Sequence, residues 1–129
     1  MKNPLQQQLY NVIMSASKEE LVLMLYDGAI KFINQGILAI QAKDYTKSNR
    51  LIQKAQAIIL EFRATLNMDY PVAHSMDQLY IYMHERLIEA NMKKDEAILT
   101  EVRELTRDFR DTWKEAMIIA RKENARKNV

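Results

Sequence analysis

"SASKEELVLMLYDGAIKF", residues 15–32, holds six consecutive apolar residues, Leu21 through Tyr26, inside a segment patterned as a helix. A helix packed on one side needs only a stripe of three or four apolar positions per two turns. Leu21, Val22, Leu23, Met24, Leu25 and Tyr26 instead cover the whole circumference. The stretch therefore raises two questions: which helices surround this one, and what lies on the sides they leave open. Ser17 followed by Glu20 forms an S-x-x-E capping box, so the helix starts at Ser17 and runs to about Gln41. Its apolar residues fall into two neighbouring seven-residue rows. One is Val22, Leu25, Ala29, Phe32, Gly36 and Ala39; the other is Leu23, Tyr26, Ile30, Ile33, Ile37 and Ile40.

Three more helices follow outward from it. Asp44 caps a second that runs to about Leu66, with the stripe Leu51, Ile52, Ala55, Ile58, Ile59, Phe62 and Leu66 and with Leu60 outside it. "NMDYP", residues 67–71, breaks the pattern, because Pro71 disfavours helical geometry at Tyr70 yet suits the first turn of a new helix. The third helix carries Val72, Met76, Leu79, Tyr80, Met83, Leu87 and Ala90 and ends near Asn91. Asp95 caps the fourth, whose stripe is Ile98, Leu99, Val102, Leu105, Phe109, Trp113, Ala116, Met117 and Ala120. The short connections near 41–44 and 91–95 both contain Lys-Asp and force their flanking helices antiparallel. The predicted fold is all-α, an antiparallel four-helix bundle forming one domain over residues 1–129. An N-terminal arm (1–16) precedes helices at about 17–41, 44–66, 71–91 and 95–121, and a basic tail (122–129) is expected to fray.

Composition bounds the function. Two Gly and two Pro among 129 residues argue for helices, and zero Cys excludes disulfides, thiolate zinc sites and a cysteine nucleophile. The first residues, MKNPLQQQLYNV, lack the apolar core of a secretory signal, and no uninterrupted apolar stretch approaches the ~18 residues of a membrane span. The expectation is a soluble cytoplasmic protein without membrane insertion. A net charge of +2, from 19 basic and 17 acidic residues, with no dense basic stripe interleaved with aromatics, makes nucleic acid a weak partner.

Chemistry is not legible. A ferritin-like di-iron site needs Glu-x-x-His on two helices, but Pro71 and Ile81 stand three residues before His74 and His84, the only histidines. A phosphorelay role for His84 competes with its reading as an ordinary half-exposed helix residue. No Gly-rich phosphate loop, nucleophile elbow or H-E-x-x-H motif is present. No cofactor, no metal and no enzymatic activity are expected. Gly28, which interrupts a helical pattern, suggests close approach of another backbone.

What remains is surplus hydrophobicity. Eight Met, Tyr80 and Tyr82 on different sides of the third helix, and the doubled apolar rows of the first helix suit a groove that accepts an amphipathic segment. The arm, apolar through Leu5, Leu9, Tyr10, Val12 and Ile13, is expected to pack on that groove when it is empty. Ala29 and Phe32 are expected to face the interior, with Tyr26 and Ile30 at its edge beside the groove.

Four segments carry a resemblance: "SASKEELVLMLYDGAIKF", "LIQKAQAIILEFRATLN" at 51–67, "LYIYMHERLIEANMKKD" at 79–95 and "DFRDTWKEAM" at 108–117. In this order they resemble the FliS family of flagellar export chaperones, over about Ile13 to Trp113. The resemblance implies a bundle that binds the C-terminal segment of flagellin, prevents premature polymerisation and presents the subunit to the flagellar export machinery. Departures are Lys18 where the family often has Pro, Tyr10 closer to Ile13 than is usual, and Glu85-Arg86 where Arg-Arg is common. The candidate partner-binding residues are Ile13, Leu23, Tyr26, Ile30, Leu60, Tyr80, Tyr82 and Arg86, and the free chain is expected to be a monomer or weak homodimer. A homodimeric helical scaffold or regulatory interaction protein without a flagellin client would use the same surface.

Overall fold

The computed structural model describes residues 18–127. The helices are α1 (Lys18–Gln41), α2 (Tyr45–Thr65), α3 (Pro71–Lys93) and α4 (Glu96–Lys127). Each packs on its chain neighbours, and α4 returns to α1, so the helices run up, down, up and down around one core. The predicted cap at Ser17 and the predicted arm lie outside the described residues.

The turns show why the chain reverses where it does. Lys43 and Lys94 adopt left-handed backbone geometry, with φ of 58° and 52°. In each case the following Asp sends its backbone N–H five residues back, Asp44 to the Ala39 carbonyl at 2.8 Å and Asp95 to the Ala90 carbonyl at 3.0 Å. Those bonds satisfy the open carbonyls of the ending helix, in a Schellman arrangement. The same Asp then caps the next helix. Asp44 Oδ1 accepts from the Lys47 N–H at 3.1 Å, and Asp95 Oδ1 accepts from Ala97 and Ile98 at 2.9 and 3.3 Å. At the remaining connection Tyr70 is extended (ψ 128°), as a residue before proline must be, and Pro71 opens α3.

Buried residues recur at helical spacing on all four elements: Ile33 and Ile37 on α1, Ile52 and Ile59 on α2, Met83 and Leu87 on α3, Leu99 and Val102 on α4. One layer takes an aromatic ring from every helix. Tyr26 stacks on Phe62 with centroids 4.3 Å apart, Phe62 on Tyr80 at 5.5 Å, Tyr80 on Phe109 at 5.1 Å, and Tyr26 faces Phe109 at 6.3 Å. Across the diagonal the Tyr26 and Tyr80 hydroxyls are 2.7 Å apart, one donating to the other. Burial pushes both hydroxyls above the ordinary tyrosine value of 10.0.

Several expectations need correction. Tyr26 and Ile30, placed at the edge of the core, are 2% and 7% exposed. They belong to the row that includes Ile33 and Ile37, and that row points at the bundle axis because α1 has a neighbour on each side. Ala29 is buried as expected, whereas Phe32 is only partly buried, at the seam with α2. Val72 and Leu79 are exposed rather than core, because the axis-facing row of α3 is Ala73, Tyr80 and Leu87, one position further on. Gly28 meets no backbone: a Cβ there would lie 3.6 Å from the Ile58 side chain, in ordinary contact. Ala116 and Ala120 are exposed, and residues 122–127 continue α4 rather than forming a tail. Lys122, Glu123, Ala125, Arg126 and Lys127 are good helix formers with no breaker among them.

The opening run can now be resolved. Tyr26 is core, Val22 and Leu25 pack against it, Leu21 and Leu23 are half-buried, and Met24 alone points outward. Of the described helices only α1 is long and apolar enough, by length and composition, to cross a membrane. Its buried row is occupied by α2 and α4.

Candidate partner-binding surface

Among the described helices α3 exposes the most large apolar side chains. Of its large apolar residues, Val72, Leu79, Tyr82, Ile88 and Met92 are exposed, Met92 at 81%. They fall on two sides of α3, each bordering one neighbouring helix.

The side toward α2 is a seam pinned at both ends. Asn91 Nδ2 donates to Asn49 Oδ1 at 2.7 Å, and Arg63 Nε donates to Asp77 Oδ1 at 2.7 Å. The Arg63 guanidinium holds the Asp77 carboxyl below its ordinary value. Between these pins the two helices present rows at alternating spacings of three and four, each four-three-four-three in its own chain direction. Asn49, Gln53, Gln56, Leu60 and Arg63 run along α2, against Asn91, Ile88, His84, Ile81 and Asp77 on α3. With Asn49 opposite Asn91 and Arg63 opposite Asp77, the antiparallel register puts Leu60 at the level of Ile81 and Gln53 at the level of Ile88. The interval between the pins carries amides, one imidazole and apolar side chains but no acidic side chain, lysine or arginine. A segment covering it would desolvate no charge in that set, which removes the largest cost of burial.

The side toward α4 is held by an ionic chain. Glu101 accepts from Arg86 Nε at 2.8 Å and from the Tyr82 hydroxyl at 3.2 Å. Arg86 Nη1 donates to Glu89 at 2.6 Å, and Lys93 Nζ reaches the other Glu89 oxygen at 2.7 Å. Lys93, then Arg86, lower the Glu89 carboxyl below its ordinary range. The Arg86 guanidinium also lies 6.0 Å from the Tyr82 ring centre. Beyond this staple Leu79 and Val72 continue the exposed row.

Among the sequence-predicted residues, Leu60, Tyr82 and Arg86 thus lie along the two sides of α3. Tyr80 does not: it is 1% exposed and belongs to the aromatic layer. Tyr26 and Ile30 are core as well. Leu23 is half-buried on α1, one turn before Asp27, which Arg110 of α4 reaches at 3.4 Å. Ile13 lies outside the described residues. Sequence reasoning missed Ile88 and Met92, which sit off the core stripe of α3 just as Leu60 sits off that of α2. That apolar residue beside the stripe was the available signal. The arrangement offers surface rather than chemistry: among the described residues no three His, Cys, Asp or Glu side chains gather where a metal could bind.

Comparison with known proteins accords with this architecture. Residues 1–120 match the family model described as flagellar protein FliS. The chain is 41% identical over 123 residues to the flagellar secretion chaperone FliS of Bacillus subtilis, covering 95% of this chain and 92% of that one. It is 32% identical over 113 residues to the protein of the same name from Escherichia coli, covering 84% and 82%. With the Vibrio cholerae protein of that name it shares 34% identity over 101 residues, covering 77% and 74%.

Proposed function

The chain belongs to the FliS family of flagellar secretion chaperones, and from that premise we propose that it binds the C-terminal segment of flagellin along α3. In the cytoplasm it would cover the apolar face by which flagellin subunits associate, prevent premature polymerisation and deliver the subunit to the flagellar export machinery. No catalysis is required, because masking is achieved by burial alone. The observation that carries the placement is the pinned seam of Leu60, Ile81 and Ile88, extended by Met92, in which apolar side chains lie on two facing rows whose members between the pins carry no acidic side chain, lysine or arginine. An amphipathic segment laid in a groove of this kind is a recurring mode of recognition. The free chain is a monomer or weak homodimer in this reading, with the client segment competing for the same apolar surface.

Calorimetry with a flagellin C-terminal peptide tests the reading. Binding should show a negative heat-capacity change and a favourable enthalpy as the peptide orders. Leu60→Asp and Ile88→Asp should each weaken binding while leaving the thermal melt cooperative. Equal binding by flagellin lacking its C-terminal segment would refute the client assignment, and unchanged affinity in both variants would move the site off this seam.

A further inference from the structure

The opposite side of α2 carries a groove of different character. Between α1 and α2, near their connecting turn, lies an open cleft of about 520 Å³ with Phe32, Leu38 and Leu51 among its lining residues. Its α2 wall is cationic: Lys47, Arg50 and Lys54 all line it. Their spacing of three and four puts them on one stripe about 10 Å long, at 1.5 Å per residue. Elsewhere every described arginine except Arg126, near the end of α4, is paired. Arg63, Arg86, Arg103, Arg107, Arg110 and Arg121 each meet a carboxylate. Among the described residues Lys47, Arg50 and Lys54 form no ion pair, and Lys54 Nζ instead lies 5.4 Å from the centre of the Phe32 ring. Asp44, the acidic lining residue, accepts from the Lys47 backbone N–H as the cap of α2.

We propose that this cleft is a second docking site, taking an acidic amphipathic segment of a partner polypeptide. Carboxylates three and four residues apart on one side of a helix match the spacing of the three cations, and apolar residues on its other side reach the floor. The cations steer and orient the partner, and the apolar floor supplies the burial. A polypeptide fits where a bilayer or duplex does not. Leu51 is buried and Phe32 half-buried between the two helices, with only Leu38 of the three exposed at the rim, so a narrow segment reaches the floor and a broad anionic surface does not. The site is separate from the α2–α3 seam, since its wall lies on the other side of α2.

The probe is a short synthetic amphipathic helix with Glu along one side and Leu along the other, titrated into the isotope-labelled full chain. Amide shifts should concentrate on residues 32–54, and affinity should fall as salt rises. The variant K47E/R50E/K54E should bind the probe at least about tenfold more weakly, melt cooperatively and retain its affinity for the flagellin peptide. The same probe with Lys in place of Glu should not bind. The proposal is overturned if the triple variant binds the acidic probe as well as the parent. It is equally overturned if the shifts map to the α2–α3 seam, if flagellin binding is lost together with probe binding, or if the chain prefers phosphatidylglycerol vesicles to the peptide.

Discussion

The two helical hairpins turn alike and close differently. Both reverse on a left-handed lysine followed by a capping aspartate. The first, α1–α2, then closes through small residues. A Cβ at Gly36 would lie 3.4 Å from Ile52 of α2 and 3.9 Å from Leu99 of α4, so on its buried side this part of α1 has little space left. The second, α3–α4, is spanned at its outer edge by long polar side chains, with Arg86 and Tyr82 converging on Glu101. Identical turns thus set direction without setting intimacy. Residue size along the seam decides how closely the two axes approach, and the exposed apolar surface lies outside the closest approach: in the cleft beside the first turn and along α3.

The largest expected effect comes from removing what both hairpins share. Phe62→Ala opens the four-ring layer and should cost about 3–5 kcal/mol, read from urea unfolding. A loss below about 1 kcal/mol would show that the hairpins cohere without that layer.

Next comes the diagonal bond between them. Tyr80→Phe leaves the Tyr26 hydroxyl buried without a partner and should cost about 1–3 kcal/mol at neutral pH. The pair also sets an alkaline limit. Both hydroxyls are raised above 10.0 in the folded chain, so their contribution is complete below pH 10. Above it the unfolded tyrosines ionise while the folded ones keep their protons, and stability falls as pH rises. Denaturation followed across that range should slope less steeply in Tyr80→Phe than in the parent chain.

Smaller effects separate the two seams. Gly28→Ala on α1 adds a methyl at ordinary contact distance and removes a helix-interior glycine, so it should stabilise by about 0.5–1 kcal/mol. Destabilisation would mean that the tight seam tolerates no added volume. Glu101→Gln weakens a solvent-screened ion pair at the outer edge of the second hairpin and should lower the melting temperature least of the set, with no change in cooperativity.

The helices and turns were legible because their signals are local. Asp44, Pro71 and Asp95 act within a few residues of themselves, and each begins or precedes a helix as expected. Which residue of a stripe points at the axis was less legible, because that depends on how neighbouring helices rotate it. Tyr26 and Ile30 moved inward because α1 is flanked by both α2 and α4, whereas Val72 and Leu79 moved outward by one position in the row of α3. For the candidate surface, Leu60 was readable as an apolar residue beside a stripe. The seam it forms with Ile81 and Ile88 required the cross-links Asn49–Asn91 and Arg63–Asp77, which join residues far apart in sequence. The unpaired cations of α2 were invisible for a related reason: pairing is a property of neighbours in space.

The up-down-up-down connectivity bears on how the molecule comes into being. Three of its four helix interfaces join consecutive helices, so most of the core forms with little chain to close. Chains rich in such local contacts fold on the order of microseconds to milliseconds. The α1–α4 interface is the exception: Arg121 meets Glu20 and Trp113 Nε1 donates to the Glu19 carbonyl only after nearly the whole chain exists. During synthesis the first hairpin can therefore assemble while the second is still emerging, and α4 locks it last.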